Sequence, residues 1–353
     1  MEHFRVTILI LSLMISIFQL QLHSSLAIPN QDVHYMKFVH NATDLPTKEE
    51  YDYIIIGGGT AGCPLATTLS SKFSVLLLER GSDPNKYPSV LNEQGLLNVF
   101  AAGDDGKNPF QRFVSEDGIE NIRGRVLGGG SMVNAGFYSR GHQEFFASAG
   151  VDWNMELVEK AYEWVEETVV SQPILNAWQS AFRSSLLEGG VIPDNGFDLR
   201  HLVGTKTGGS IFDNKGNRHG AVELLNKANP TNIKVATEAT VQRILFSGVR
   251  KIGDLLKTKT MEKIKTQNLE GNKGFEFLGV PLPENLGNVS AVEEYCKKTE
   301  STYWHYHGGC VVGKVVDGNY KVIGIKNLRI VDGSTFSESP GTNPMATLMM
   351  LGR

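Results

Sequence analysis

The sequence is poor in cysteine, with three in 353 residues and no C-x-x-C pair. That argues against a disulfide-stapled secreted scaffold and against a zinc ribbon. It has no strongly basic segment. The 34 lysines and arginines stand against 38 aspartates and glutamates, a net charge of −4, which disfavours nucleic acid and anionic membrane as partners. The apolar run near its start, Val6–Leu20 (VTILILSLMISIFQL), is shorter than the ~20 residues a spanning helix needs, and glutamines and a histidine follow at once. Glycine is abundant instead, 38 residues of it, and clustered where backbone must approach something closely. With 41% hydrophobic and 20% charged residues, the chain has material for a large core and is not a disordered one. Its length suits two domains or one large one.

Arg5, the apolar run and then QLHSSLA, with Ser25 and Ala27 at −3 and −1, have the layout of a secretory signal peptide over residues 1–27. A secreted mature chain without a membrane anchor is expected. Asn41-Ala-Thr43 and Asn288-Val-Ser290 are then usable glycosylation acceptors, whereas Asn229-Pro-Thr is blocked by its proline. Three cysteines in an oxidising compartment leave at least one thiol unpaired.

Tyr51–Ile56 (YDYIII) reads as a strand buried on both faces. It runs into Gly57-Gly-Gly59-Thr60-Ala61-Gly62 and then CPLATTLSS, a helix with Pro64 in its first turn, where a missing N–H costs little. Ser74–Leu78 (SVLLL) reads as a second buried strand, ending at Glu79. Strand, glycine turn, helix, strand and acid in this order form a dinucleotide fingerprint. Gly57 permits the tight turn, Gly59 lets a diphosphate approach the backbone, and Gly62 lets helix and strand pack closely. The helix N-terminus offers free N–H groups and partial positive charge to the diphosphate. Glu79 suits ribose hydroxyls and repels a 2′-phosphate. This unit alone does not separate FAD from NAD.

A second cluster, Ile122–Gly141, reads IRGRVLGGGSMVNAGFYSRG. Its core, Arg125-Val-Leu-Gly-Gly-Gly-Ser-Met-Val-Asn134, closely resembles the first signature of the glucose–methanol–choline (GMC) flavoprotein oxidoreductases. The resemblance continues in order through Tyr303-Trp-His-Tyr-His-Gly-Gly, Asn327-Leu-Arg-Ile-Val-Asp-Gly333 and Gly341-Thr-Asn-Pro-Met-Ala-Thr347. Within the family it is most similar to the plant HOTHEAD and (R)-mandelonitrile-lyase-like branch. It covers nearly everything after residue 50.

The resemblance implies an α/β, Rossmann-like FAD-binding domain interleaved with a substrate-binding domain. The FAD domain is expected over 28–150, 231–247 and 301–353, and the substrate domain over 151–230 and, shortened, 248–300. FAD is the implied cofactor. Gly57, Gly59, Thr60, Ala61 and Gly62 would hold its diphosphate, with Glu79 and Arg80 at the adenosine ribose and Val241 by the adenine. Arg125, Val126, Gly128, Gly129, Asn134 and Ala135 would lie along the flavin end, together with Trp304. Asp332 and Gly333 would line the diphosphate–ribityl path. Pro344 and Met345 would open a helix whose N-terminus faces the flavin pyrimidine ring, where reduction places negative charge.

Family chemistry takes the hydroxyl proton of an alcohol while its α-hydride goes to flavin N5, which requires a base within hydrogen-bond reach of the hydroxyl. His305 and His307 are the candidates. The family's H-x-x-G pattern places His305, with Gly308, at the base position and His307 beside it. Asn343 occupies the second site position, where hydroxynitrile-lyase relatives carry histidine. Asparagine orients an oxygen but shuttles no proton, which favours redox chemistry over cyanohydrin cleavage. Tyr303 is placed to assist either. No third ligand accompanies the two histidines, so no metal is expected. The expected partner is a small alcohol or cyanohydrin, bound by a monomer in the cell wall or apoplast.

Elsewhere Asn154–Val169 reads as an amphipathic helix, with Leu157, Tyr162 and Val165 among its apolar positions, and Asn176–Glu188 as a second. The tryptophans and tyrosines of these segments read as core. Residues 227–245 read as a turn and two strands, KVAT and TVQRILF, joined near Glu238. After Phe246 the chain departs from the family: Ser247 passes directly into Gly248-Val-Arg-Lys-Ile-Gly253, which resembles a segment far downstream in relatives. An interior block is therefore expected to be missing, leaving sheet edge and apolar surface exposed and Cys296 without a partner.

Overall fold

The computed structural model describes residues 34–46, 49–95, 103–114, 120–241, 266–267, 273–274, 283, 285, 287–299 and 307–353. The expected signal peptide, Tyr303, Trp304, His305 and most of the TVQRILF strand lie outside them. In chain order the elements are β1 (Val39–Asn41), β2 (Tyr53–Ile56), α1 (Gly62–Ser70), β3 (Val75–Leu78), β4 (Phe110–Val114), β5 (Glu120–Gly124), β6 (Phe137–Tyr138), α2 (Gln143–Ser148), α3 (Met155–Val169), α4 (Ala177–Glu188), β7 (Asp194–Phe197), β8 (Thr205–Thr207), β9 (Gly209–Ser210), β10 (Ile233–Thr237), β11 (Thr266–Gln267), β12 (Lys273–Gly274), α5 (Val289–Thr299) and α6 (Met345–Gly352). Together they give the α/β class read from the sequence.

The organising unit is a parallel sheet in the order β1-β10-β3-β2. Tyr53 pairs with Val75 on one side of β3, and Ile233 pairs with Val75 on the other. Val75 and Leu77 of β3 are fully buried, as is Val235 of β10. Such aliphatic runs suit the middle of a parallel sheet, covered on both faces. β2 differs from its sequence reading. Ile55 is buried, but Ile54 and Ile56 are 58% and 47% exposed. β2 is the edge strand of this sheet, and no described element covers that face. Ile54→Thr together with Ile56→Thr is expected to leave the unfolding free energy within about 0.5 kcal/mol of the parent. It should also reduce self-association in light scattering, because an exposed apolar edge invites pairing.

α3 forms as expected. The Asn154 side chain accepts the Leu157 N–H at 3.2 Å, an N-cap. Its buried residues are Val158, Tyr162, Val165 and Val169, a one-face spacing for a 3.6-residue period. Burying each contributes on the order of 2 kcal/mol. Leu157 was expected on that face but is 61% exposed, one position off the stripe. α4 also forms, yet it buries none of its residues. A reciprocal cap between Asn176 and Gln179 and the stacked rings of Trp178 and Phe182, 5.2 Å apart, support it locally. The core reading of Trp178 is thereby overturned.

α6 packs against both α1 and α3. A Cβ on Gly352 would stand 2.3 Å from the Ala61 carbonyl, so the helix backbones meet almost directly. The Tyr162 hydroxyl lies 3.1 Å from Thr347 Oγ1 and accepts the Gly141 N–H at 3.2 Å. Through these contacts the last helix is seated over the turn between β2 and α1.

Candidate functional site: a glycine-lined dinucleotide cradle

The turn between β2 and α1 leaves donors free. The N–H groups of Gly59, Thr60, Ala61 and Gly62 meet no acceptor among the described residues. A Cβ on Gly57 would find open space. The second glycine segment closes over this turn: the Gly128 N–H donates to Gly58 O at 2.7 Å. Gly129 sits so close that a Cβ there would stand 2.6 Å from Gly59 Cα. Four unpaired donors at the start of a helix form an anion site, built for phosphate oxygens.

Glu79 follows β3 and is buried, 5% exposed. Its two carboxylate oxygens accept the N–H groups of Gly58 at 2.9 Å and Gly81 at 2.7 Å. Burial raises its pKa above the ordinary carboxylate value, and those two N–H bonds oppose the rise. A carboxyl with a raised folded pKa contributes stability that is complete below the unfolded value, near 4.5, and lost as pH climbs through the folded value. Glu79→Gln should therefore gain on the parent in melting temperature between pH 4.5 and 7. A difference that stays constant across that range would show that the carboxyl titrates normally.

Arg80 and Arg125 point elsewhere. Arg80 donates to Gln111 Oε1 at 2.7 Å, and Arg125 is held by Asn108 O, Phe110 O and Asp104 Oδ1. Both brace the 104–111 stretch. Val126 is buried and Ala135 exposed. Asn134 is the hinge of the site: its Oδ1 accepts the Gly136 N–H at 3.0 Å, and its Nδ2 lies 3.0 Å from Met345 Sδ. The second glycine segment thus reaches the first residue of α6, whose N-cap is Pro344. Asn343 is half-buried immediately before it. The exposed Asp332 spends its carboxylate on capping the turn Gly333–Thr335. The Cys310 N–H donates to Ser334 O at 2.8 Å, which draws the stretch after His307 alongside that turn. Val241 is half-buried at the end of its described segment. Among the described cysteines, Cys63 and Cys310 are free.

One residue of the site gave no sequence signal. Arg218 is 2% exposed and clamps the second glycine segment, donating to Ser131 O, Asn134 Oδ1 and Asn134 O at 3.0, 3.0 and 2.8 Å. An arginine within Asp213–Gly220, a polar turn, reads as solvated; only the fold buries it.

A parallel sheet whose first β–α–β unit presents an open, donor-rich glycine turn, with a buried acid after its second strand, defines a dinucleotide-binding α/β protein. Two GMC oxidoreductase models match the chain, over residues 51–273 and 216–352, and the chain belongs to that family. It is 34% identical to (R)-mandelonitrile lyase 1 of Prunus serotina, over 98% of this chain and 93% of that one. It is 35% identical to sinalpyl alcohol oxidase Nec3 of Nesocodon mauritianus, over 91% of each, and 31% identical to Protein HOTHEAD of Arabidopsis thaliana, over 86% and 87%. The first of these alignments runs over 525 positions, although the chain has 353 residues. The relative therefore carries a length of chain without counterpart here. FAD is the cofactor. The free N–H groups at α1 and the open space beside Gly57 fit its diphosphate; Glu79, expected at the ribose, has both carboxylate oxygens on the Gly58 and Gly81 N–H groups.

Proposed function

We propose that the chain is a secreted, monomeric, FAD-dependent oxidoreductase that acts on the CH–OH group of a small alcohol. The observation that carries this reading is the contact of Asn134 with Met345. It brings a glycine segment of the cradle to the helix start beside Asn343, across 211 residues of sequence. FAD, when bound, supplies the two-electron acceptor. His305 takes the hydroxyl proton, Asn343 orients the substrate oxygen by donating from its amide, and Tyr303 assists. Asn343 has no proton to exchange at neutral pH, so proton removal falls to one histidine, which suits alcohol oxidation. The relationship to an enzyme named sinalpyl alcohol oxidase supports an aromatic primary alcohol as substrate.

The relationship to (R)-mandelonitrile lyases supplies the competing reading, in which the same base acts on a cyanohydrin hydroxyl without net redox change. Anaerobic mixing separates the two. Bleaching of the flavin by aromatic primary alcohols is the expected result. Cyanide release from mandelonitrile without bleaching would replace this reading with the lyase.

A further inference from the structure

We propose that Arg218 is a positioning residue whose unneutralised charge, buried behind Asn134, biases the bound flavin toward its anionic reduced form. The inference rests on the FAD reading above and adds a role for a residue so far described only as a clamp of the second glycine segment.

Among the described residues, the partners of the buried Arg218 guanidinium are neutral. Its guanidinium donates to three acceptors, two backbone carbonyls and one amide oxygen, all within residues 131–134. Among the described residues its Nε has no partner and no carboxylate pairs with it. The ring of Phe212 covers one face, 4.4 Å from the guanidinium carbon. Removal from water without a counter-ion pushes its pKa down. A buried cation of this kind is costly unless something compensates it. Ionisable groups shifted by burial cluster at functional sites.

The direction in which the charge acts is set by Asn134. Arg218 and the Gly136 N–H both occupy Asn134 Oδ1, so the amide is fixed with its NH2 group toward Met345. The amide therefore works as a donor on the side of the α6 N-terminus, and the cation lies directly behind it. The amide dipole, the cation and the helix start all favour negative charge at one place. Stabilisation of that charge needs no reorganisation when it appears, because Arg218 is already held by three bonds.

The test is made on the FAD-loaded chain and on its Arg218→Lys, Arg218→Gln and Arg218→Met variants. Sulfite is the probe, since its addition leaves the isoalloxazine anionic, and the reduction potential is measured alongside. Gln and Met should weaken sulfite binding about tenfold. The corresponding drop in midpoint potential is about 30 mV for a two-electron couple. Lys, which keeps the charge but loses the fork, should stay within about threefold of the parent. A purely structural clamp predicts that Lys falls with Gln and Met, and that outcome overturns the inference. So does a parent chain that binds FAD yet forms no sulfite adduct, a measurement that needs no variant to fold. A parent chain that takes up no FAD at all removes the cofactor reading itself, and the inference with it.

Discussion

Gly62→Ala is expected to cost about 3 kcal/mol of stability or more and to yield a colourless protein. A Cβ at this position would lie 1.9 Å from Gly57 O and 3.1 Å from Gly57 C. Both atoms belong to backbone that the β2–α1 turn fixes, so neither can swing aside as a side-chain tip would. Relief requires α1 to move off the turn, which also lifts it from α6, whose Gly352 meets Ala61 just as closely. Overpacking against backbone lies at the severe end of small-to-large changes. The measurement is the denaturant midpoint at unchanged slope, with flavin absorbance read on the same samples. Gly59→Ala is the control. Its Cβ would meet only Gly129 Cα, at 3.9 Å, an ordinary contact, so that chain should fold with parental stability. It should lose FAD affinity through crowding of the diphosphate side alone. Equal loss of stability in both variants would show that the turn tolerates no side chain anywhere and that the close approach at Gly62 has no special standing.

The contrast between these two glycines also shows what was legible before the structure. Spacing alone placed Gly57, Gly59, Gly62 and Glu79 in one strand–turn–helix–strand unit, because a diphosphate site needs free N–H groups and no Cβ at fixed intervals along a single stretch of chain. Local rules of this kind survive folding. The bounds of α3 and two of its four buried residues, Tyr162 and Val165, came from the same kind of local regularity.

What depended on distant neighbours was not legible. Ile54 and Ile56 have the composition of a central strand, and only the strand order exposes them. Trp178 has the size and polarity of a core residue, yet α4 finds nothing to cover it. Arg125 lies inside the family signature but turns toward Asp104. Arg218, in a polar turn with no motif around it, becomes the clamp of the second glycine segment. For the two arginines the deciding contact joins residues far apart in sequence, and for Ile54, Ile56 and Trp178 it is the want of a covering element; composition records neither. The exposed edge and the uncovered helix are the surfaces expected where a relative's additional chain has no counterpart.

His305→Ala is expected to lower kcat by about 10³ while the chain stays yellow. Positioned general bases contribute roughly 10²–10⁴ in rate, and a factor of 10³ corresponds to about 4 kcal/mol of barrier. FAD should remain bound, because the groups assigned to hold its diphosphate and ribose, the free N–H donors at α1 and Glu79, belong to a part of the chain that the substitution leaves intact. His307→Ala separates the two histidines. His307 is exposed, and the stretch that follows it is pinned by the bond from the Cys310 N–H to Ser334 O, so trimming its ring should alter turnover by no more than about threefold. The residue proposed for the second site position, Asn343, cannot accept and return a proton. Nothing can therefore stand in for the lost imidazole, and the residual rate of the His305 variant should be insensitive to Asn343→Ala beyond a change in KM. A His307 variant that loses kcat while the His305 variant keeps it would move the base by two residues and reverse the alignment with Gly308 on which the assignment stands.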